Sequence, residues 1–271
     1  MAAGDIPELS IQLRKKVGIA VSEFQMIEEN DRILIGLSGG KDSLVLTVAL
    51  SALRRRSPVP FSLSACTVDL TGGTLDTSPL EAFCKSLGIP FFVRPYPVTD
   101  IIRARNERSP CSFCANIRRG ILNGAAREAG CRSLALGHNL DDAVETVLLN
   151  LFHTGRFRSF QPKSLQSRSG VTLIRPLVLV EERRVLRDAR RLGLPVLPYV
   201  CPFSLETERA RAKKIVEELS ARNPRIKYNI VHALRCLDGN DRWGKPEEPS
   251  FERAAQAGPA EDAKERLYGK D

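Results

Sequence analysis

No apolar run in this 271-residue chain approaches the roughly 18 to 20 residues that a membrane-spanning helix needs. The longest, from Leu44 to Leu53, is interrupted by Thr47 and Ser51, so no membrane association is expected. No secretory leader is expected either: Met1 to Leu9 carry Asp5 and Glu8 without a basic start or an apolar stretch, and a cytoplasmic location is the expectation. Seven cysteines is an odd number spread over a long chain, which argues against a disulfide framework and for thiols or metal ligands. Disorder is excluded over most of the length, because apolar runs recur as far as about Leu237 and 42% of the residues are hydrophobic.

What the chain has in excess is basic charge. Its formal net charge is +9, yet the segment from Asp238 to Asp271 holds 9 acidic and 6 basic residues, leaving 35 basic against 23 acidic in the body. Arginines gather at Arg103, Arg105, Arg108, Arg118 and Arg119. Arg156, Arg158, Lys163, Arg168 and Arg175 form a second group with no acidic residue between them. Neutralising phosphates is the function such a surface suits, so a polyanion partner is one reading and a solvated arginine-rich surface the other.

Short β-like runs at residues 32–37, 61–68, 90–94, 132–137 and 171–175 alternate with helical patterns at 44–56, 78–87, 112–129 and 140–152. That alternation predicts an α/β fold, a parallel sheet of right-handed βαβ units whose ligands sit at the carboxyl ends of the strands. A leading helix over residues 9–28 precedes it, and helices at 181–192, 205–221 and 227–237 follow. The expected organisation is an N-terminal helix (1–28), an α/β domain (29–180), a helical extension (181–237) and a disordered tail (238–271) rich in Pro and Gly.

The sharpest motif is Ser38-Gly39-Gly40-Lys41-Asp42-Ser43, set between a strand and a helix. Two glycines let backbone approach an anion, the N–H groups of the helix start point at it, and Ser38, Ser43 and Lys41 add hydroxyls and charge. The loop is not a Walker motif, because three residues separate Gly36 from Gly40 and Asp42 stands where Ser or Thr would hold magnesium. A second cluster, Gly137-His138-Asn139-Leu140-Asp141-Asp142 with Glu145, opens another helix. Leu140, Val144, Val147, Leu148 and Leu151 form its expected buried stripe, leaving the carboxylates to face the strand ends. There they serve either as ordinary capping, with Asn139 as N-cap, or as ligands of Mg²⁺ bridging phosphates. Cys111-Ser112-Phe113-Cys114 begins a helix after Pro110 and supplies half of a tetrahedral metal site. Cys201, in a Pro-bounded loop, is the third thiol set apart from core-like Cys66, Cys84, Cys131 and Cys236. Three thiolates suit an iron-sulfur cluster with one open iron, while zinc with a further ligand and a redox dithiol are the other readings.

Ser38 to Ser43 resembles the PP-loop of the ATP pyrophosphatases, and residues 136–152 are similar to their second signature. The resemblance implies that the loop, with Lys41, grips the β and γ phosphates of ATP and leaves the α-phosphorus open. It also implies that Gly137 and Asp142 lie beside the nucleotide and that Val68 offers backbone contacts to adenine. With Pro110 to Leu122, the basic loop Gly155 to Ser164 and Ile174 to Leu177, the chain from about Leu9 to Leu237 resembles the tRNA-cytidine 2-sulfurtransferase family. That likeness implies a [4Fe-4S] cluster on Cys111, Cys114 and Cys201, an ATP contact at Arg118, and catalysis by Asp142, Lys41 and the three cysteines. It further implies ATP and Mg²⁺ as cofactors, tRNA as substrate held by Arg156, Arg158 and Lys163, a sulfur donor such as a cysteine desulfurase, and a homodimer. The surroundings of Cys201 and the segment 70–76 depart from the family pattern. A lysidine-synthetase-like ligase, an enzyme thiolating another base or a small metabolite, and a non-catalytic RNA-binding protein with structural zinc are the rival readings.

Overall fold

The computed structural model describes residues 7–107, 110–198 and 208–236. Cys201, Arg108 and the tail expected to be disordered lie outside them. Contacts divide the chain into two units, Met1–Leu234 and Arg235–Asp271. The first carries the sheet and its helices; of the second, only Arg235 and Cys236 are described.

In chain order the elements are α1 (Ile11–Glu23), β1 (Asp31–Gly36), α2 (Lys41–Arg56), β2 (Phe61–Asp69), α3 (Ser78–Ser86), β3 (Phe91–Pro95) and α4 (Val98–Arg105). They continue with α5 (Pro110–Glu128), β4 (Ser133–Ala135), α6 (Leu140–Thr154), β5 (Lys163–Gln166), β6 (Val171–Ile174), α7 (Glu182–Arg191), α8 (Glu208–Arg222) and α9 (Ile226–Arg235). The sheet order is β3-β2-β1-β4-β6-β5. Strand order reverses between β1 and β4, the position where doubly wound sheets open a crevice at their carboxyl ends.

Burial explains the placement. Ile33, Leu34 and Ile35 of β1 are fully buried, and every residue of α2 from Ser43 to Ser51 is buried, because α2 lies between the sheet and the helices α1 and α7. Such all-round burial requires polar groups to be satisfied locally, as Thr47 does by donating to the Ser43 carbonyl at 2.8 Å. A separate cluster forms where Val144 and Leu148 of α6 pack on Ala212 and Val216 of α8.

The parallel sheet is as expected except at its edge. β5 pairs antiparallel with β6, from Lys163 opposite Ile174 to Gln166 opposite Val171, through a turn with Gly170 at φ +69. The sequence KSLQ has no apolar alternation to signal a strand; pairing to β6 backbone creates it. Helix α4 was equally silent in the pattern. Helix α1 is shorter than expected because the chain turns at Gln25 (φ +47), and Met26 folds back into the core with its N–H on the Val21 carbonyl at 2.9 Å. Leu151, expected in the buried stripe of α6, is exposed. Among the described residues no helix is long and apolar enough to cross a membrane.

The start of α1 is tied to α7 by a buried acid. Asp188 Oδ2 accepts from the Ser10 backbone N–H at 3.1 Å and from its hydroxyl at 2.7 Å, while Oδ1 accepts from Arg191 at 2.9 Å. Asp188→Ala is expected to destabilise the protein by about 2–4 kcal/mol in urea unfolding, and a loss under about 0.5 kcal/mol would contradict this anchoring role.

Candidate active site

The loop from Ser38 to Ser43 leaves β1 and enters α2, with Gly40 as N-cap and Gly39 at φ +78. Its hydroxyls brace the turn. Ser43 Oγ accepts from the Ser38 N–H at 3.1 Å and donates to the Gly40 carbonyl at 2.9 Å, while Ser38 Oγ lies 3.3 Å from the Gly40 N–H it accepts from. A side chain at Gly39 would strike Leu197, whose Cδ1 would come within 2.8 Å. The Lys41 ammonium sits between Asp42 at 2.9 Å and Glu182 at 2.8 Å. Burial opposes its charge, but the two carboxylates outweigh that penalty and hold its pKa above the ordinary value.

A second turn, Leu136 to Asn139, leaves β4 and meets the first. A Cβ on Gly137 would come within 3.0 Å of the Asp42 carbonyl carbon and the Ser43 nitrogen, so backbone packs on backbone there and a side chain would press the two turns apart. Asn139 caps α6, with Asp142 completing a capping box, which is the ordinary-capping alternative that the sequence offered beside Mg²⁺ ligation. The Asn139 side chain accepts from the Asp142 N–H at 3.1 Å and its own N–H donates to Asp142 Oδ2 at 2.9 Å. Asn139 Nδ2 also donates to Asp42 Oδ1 at 2.9 Å, joining the two turns.

Of the carboxylates expected at the strand ends, Asp141 turns away: it pairs with Lys227 and accepts the Glu182 N–H at 2.8 Å. Asp142 and Glu145 remain, with Arg209 Nη1 at 2.9 Å from Asp142 and 3.8 Å from Glu145. Burial raises the Asp142 pKa despite the Asn139 N–H and Arg209. Burial and the neighbouring Asp142 push Glu145 up to about 7.

Two cavities flank Ser38 and Arg118. One, of about 310 Å³, is lined by Gly36, Ser43, Gly137, His138 and Asp142; the other, of about 260 Å³, by Gly39, Gly40, Val68, Thr71 and Cys114. The fold thus brings together the phosphate loop, Val68, Arg118, Gly137, Asp142 and one cysteine. Cys111 and Cys114 share the first turn of α5, exposed and half-buried respectively, so two thiol donors lie one turn apart. Cys201 lies outside the described residues, and among those described no group of three or more His, Cys, Asp or Glu could hold a metal. Cys66 and Cys84 are core thiols that burial pushes up to about 12.

The basic loop is pinned at its base. Ser159 Oγ donates to the Ala143 carbonyl at 2.8 Å and Asn150 Nδ2 to the Arg158 carbonyl at 3.1 Å, while the side chains of Arg156 and Arg158 stay exposed. Lys163 instead lies on β5, donating to the Gln25 carbonyl at 2.5 Å and to Glu28 at 3.3 Å. Sequence reading missed Glu182 and Arg209 as site residues. No local motif marks them, since α7 and α8 reach the cleft only through tertiary packing.

Because the Glu145 pKa is raised from 4.5 to about 7, its stability cost is absent below pH 4.5 and grows as pH rises through 7. Glu145→Gln is therefore expected to raise Tm by roughly 4 °C at about pH 8.5 and to change little at about pH 5; equal shifts at both would contradict the assignment.

The PP-loop domain family matches residues 12–195. The tRNA-cytidine(32) 2-sulfurtransferase of Geobacter metallireducens is 40% identical over 227 residues, covering 82% of this chain and 88% of that one. The enzyme of the same name from Anaeromyxobacter dehalogenans is 36% identical over 233 residues, covering 84% and 80%. Among solved structures, the U34-tRNA thiolase NcsA from Methanococcus maripaludis, with its [4Fe-4S] cluster, superposes with a TM-score of 0.68 at 29% identity, covering 87% of this chain and 80% of that one. With its strand-loop-helix phosphate turn intact and this similarity running over most of its length, the chain belongs to the PP-loop family and, within it, to the tRNA-cytidine(32) 2-sulfurtransferases.

Proposed function

We propose that this protein is an ATP-dependent tRNA sulfurtransferase that replaces the oxygen at carbon 2 of an anticodon-loop cytidine with sulfur. The observation that carries the reading is the pair of adjoining cavities, which share Ser38 and Arg118 and have the phosphate loop on one wall and Cys114 on another. ATP would place its β and γ phosphates on the N–H groups of Ser38 to Ser43, with adenine near the Val68 backbone. Lys41 would then exchange its carboxylate partners Asp42 and Glu182 for phosphate oxygens. Arg209 would move from Asp142 toward phosphate, freeing that carboxylate for a Mg²⁺ whose other ligands are phosphate oxygens and water.

The cytidine oxygen attacks the α-phosphorus, a new O–P bond forms, and the bond to the β-phosphate oxygen breaks to release pyrophosphate. A poor leaving oxide thereby becomes AMP. The two thiols of α5 suit a [4Fe-4S] cluster in donor chemistry; with Cys201 as third ligand, they would hold that group, which supplies the sulfur that displaces AMP. Arg156 and Arg158 would bind tRNA phosphates while the base unstacks into the cleft, and Arg118, common to both cavities, would lie against the nucleotide. Lys163 belongs to the same basic strip, its ammonium now held by Glu28. A cytoplasmic setting, a cysteine desulfurase as sulfur source and a homodimer complete the reading.

Mass analysis of tRNA nucleosides from a deletion strain tests it. Loss of 2-thiocytidine is expected, whereas unchanged 2-thiocytidine with loss of another thionucleoside would move the substrate to that base. Cys114→Ser is expected to reduce thiolation to background while tRNA-dependent AMP–base formation survives. Iron and sulfide should be present after anaerobic purification of the unaltered protein, and stoichiometric zinc without iron would exclude the cluster. Gly137→Ala, which drives a Cβ into the Asp42–Ser43 backbone, is expected to weaken ATP binding by about tenfold or more, a loss of about 1.4 kcal/mol, in calorimetry.

A further inference from the structure

His138 stands where its surroundings fix which ring nitrogen carries the proton. Arg175 Nε donates to His138 Nδ1 at 3.2 Å. A guanidinium offers only donors, and although burial lowers the Arg175 pKa to about 10, it stays charged at neutral pH. Nδ1 must therefore accept, and a neutral ring then carries its proton on Nε2. Arg175 is itself buried and held on several sides. Its Nη1 donates to the Gln161 carbonyl at 2.6 Å and its backbone N–H to the Pro162 carbonyl at 3.0 Å. Its guanidinium lies 4.7 Å from the centre of the Phe160 ring, which in turn packs 5.0 Å from the His138 ring. Histidine, phenylalanine and arginine thus form one cluster at the base of the basic loop.

The charged imidazolium is disfavoured in this place. Burial, then Arg175, Arg209, Arg119 and Arg118, push the His138 pKa down to about 3. The carboxylate of the same cavity, Asp142, is taken by Arg209. Nε2 has no protein partner among the described residues, and His138 lines the cavity it shares with Ser38, Ser43 and Gly137.

We propose that Arg175 is a positioning residue that holds His138 as a permanent neutral Nε2–H donor, and that this N–H binds an α-phosphoryl oxygen of the nucleotide. The proposal rests on the nucleotide reading given above, in which the loop takes the β and γ phosphates, and adds to it that the α-phosphate enters the cavity that Ser38 and Ser43 share with Gly137 and His138. A donor there strengthens its bond as charge shifts onto the α-phosphoryl oxygens during attack. Being neutral, it adds no cation to compete with Arg209 for Asp142, and its donor strength does not change across physiological pH.

The test uses the full chain labelled with ¹⁵N-histidine and ¹⁵N-glycine, with His138 assigned through His138→Gln. Long-range ¹H–¹⁵N spectra are expected to show the Nε2–H tautomer from about pH 5 to about pH 8 and a mixture of tautomers in Arg175→Lys. An Nδ1–H tautomer or a titration in that range in the unaltered protein would overturn the proposal. Adding α,β-methylene-ATP with Mg²⁺ is expected to shift both His138 Nε2 and the amides of Gly39 and Gly40. Shifts at the glycines alone would overturn the proposal while leaving nucleotide binding standing; no shift anywhere would remove the nucleotide reading itself. In single-turnover adenylation, His138→Leu is expected to lose about 10²-fold in rate with ATP affinity nearly unchanged, and His138→Gln, which keeps an N–H near the same point, to recover most of it. A His138→Leu rate within about threefold of the unaltered protein would also refute the assignment.

Discussion

The site depends on one close contact, the packing of the Gly137 backbone against the Asp42–Ser43 backbone. Strands β1 and β4 are neighbours in the sheet, so the turns that follow them meet, and a side chain at the contact would force them apart by a few tenths of an ångström. Glycine at 137 permits the approach, and the Asn139 side chain locks it by capping α6 with one atom and holding Asp42 with another. This fixes two helix N-termini, α2 and α6, side by side at the carboxyl edge of the sheet. At the start of α6 the N–H groups of Asn139, Leu140 and Asp142 are taken by Asp142, Val180 and Asn139, so the start of α2 is the helix end left to suit anionic phosphates.

Around that frame the side-chain charges are paired with one another. Lys41 is held by Asp42 and Glu182, Lys213 by Glu182, and Arg209 by Asp142 and Glu145. Such pairing keeps these ionic groups in a half-buried cleft. On the proposed reading, binding a polyphosphate with its cation would be an exchange of partners, phosphates for carboxylates on the basic groups and a metal for arginine on the acids. The raised pKa values of Asp142 and Glu145 record the same crowding of carboxylates away from water.

Much of this was legible from the sequence because its signals are local. The glycines and serines of the phosphate loop, the Asn139 cap and the strand-helix alternation each lie within a few consecutive residues, and the sheet and the phosphate turn formed as those residues implied. What escaped was tertiary. Glu182 and Arg209 come from helices that follow the sheet and reach the cleft by packing on α2 and α6. The strand β5 arises from pairing with β6 rather than from any alternation of its own. Asp141 illustrates the limit from the other side: its neighbours suggested a metal ligand, yet Lys227 and the α7 N-terminus engage it, a partnership that spacing along α6 cannot reveal. Arg175 sits inside a quoted motif, but its hold on His138 spans 37 residues of chain.

The central claim is that the cytidine oxygen itself attacks the α-phosphorus and departs with AMP. A tRNA carrying ¹⁸O at carbon 2 of the target cytidine tests this directly when it is turned over by the anaerobically purified protein with ATP and a sulfide source. The account predicts the heavy oxygen in the phosphate of the released AMP, one atom for each thionucleoside formed; heavy oxygen in water or in pyrophosphate, with unlabelled AMP, would contradict it.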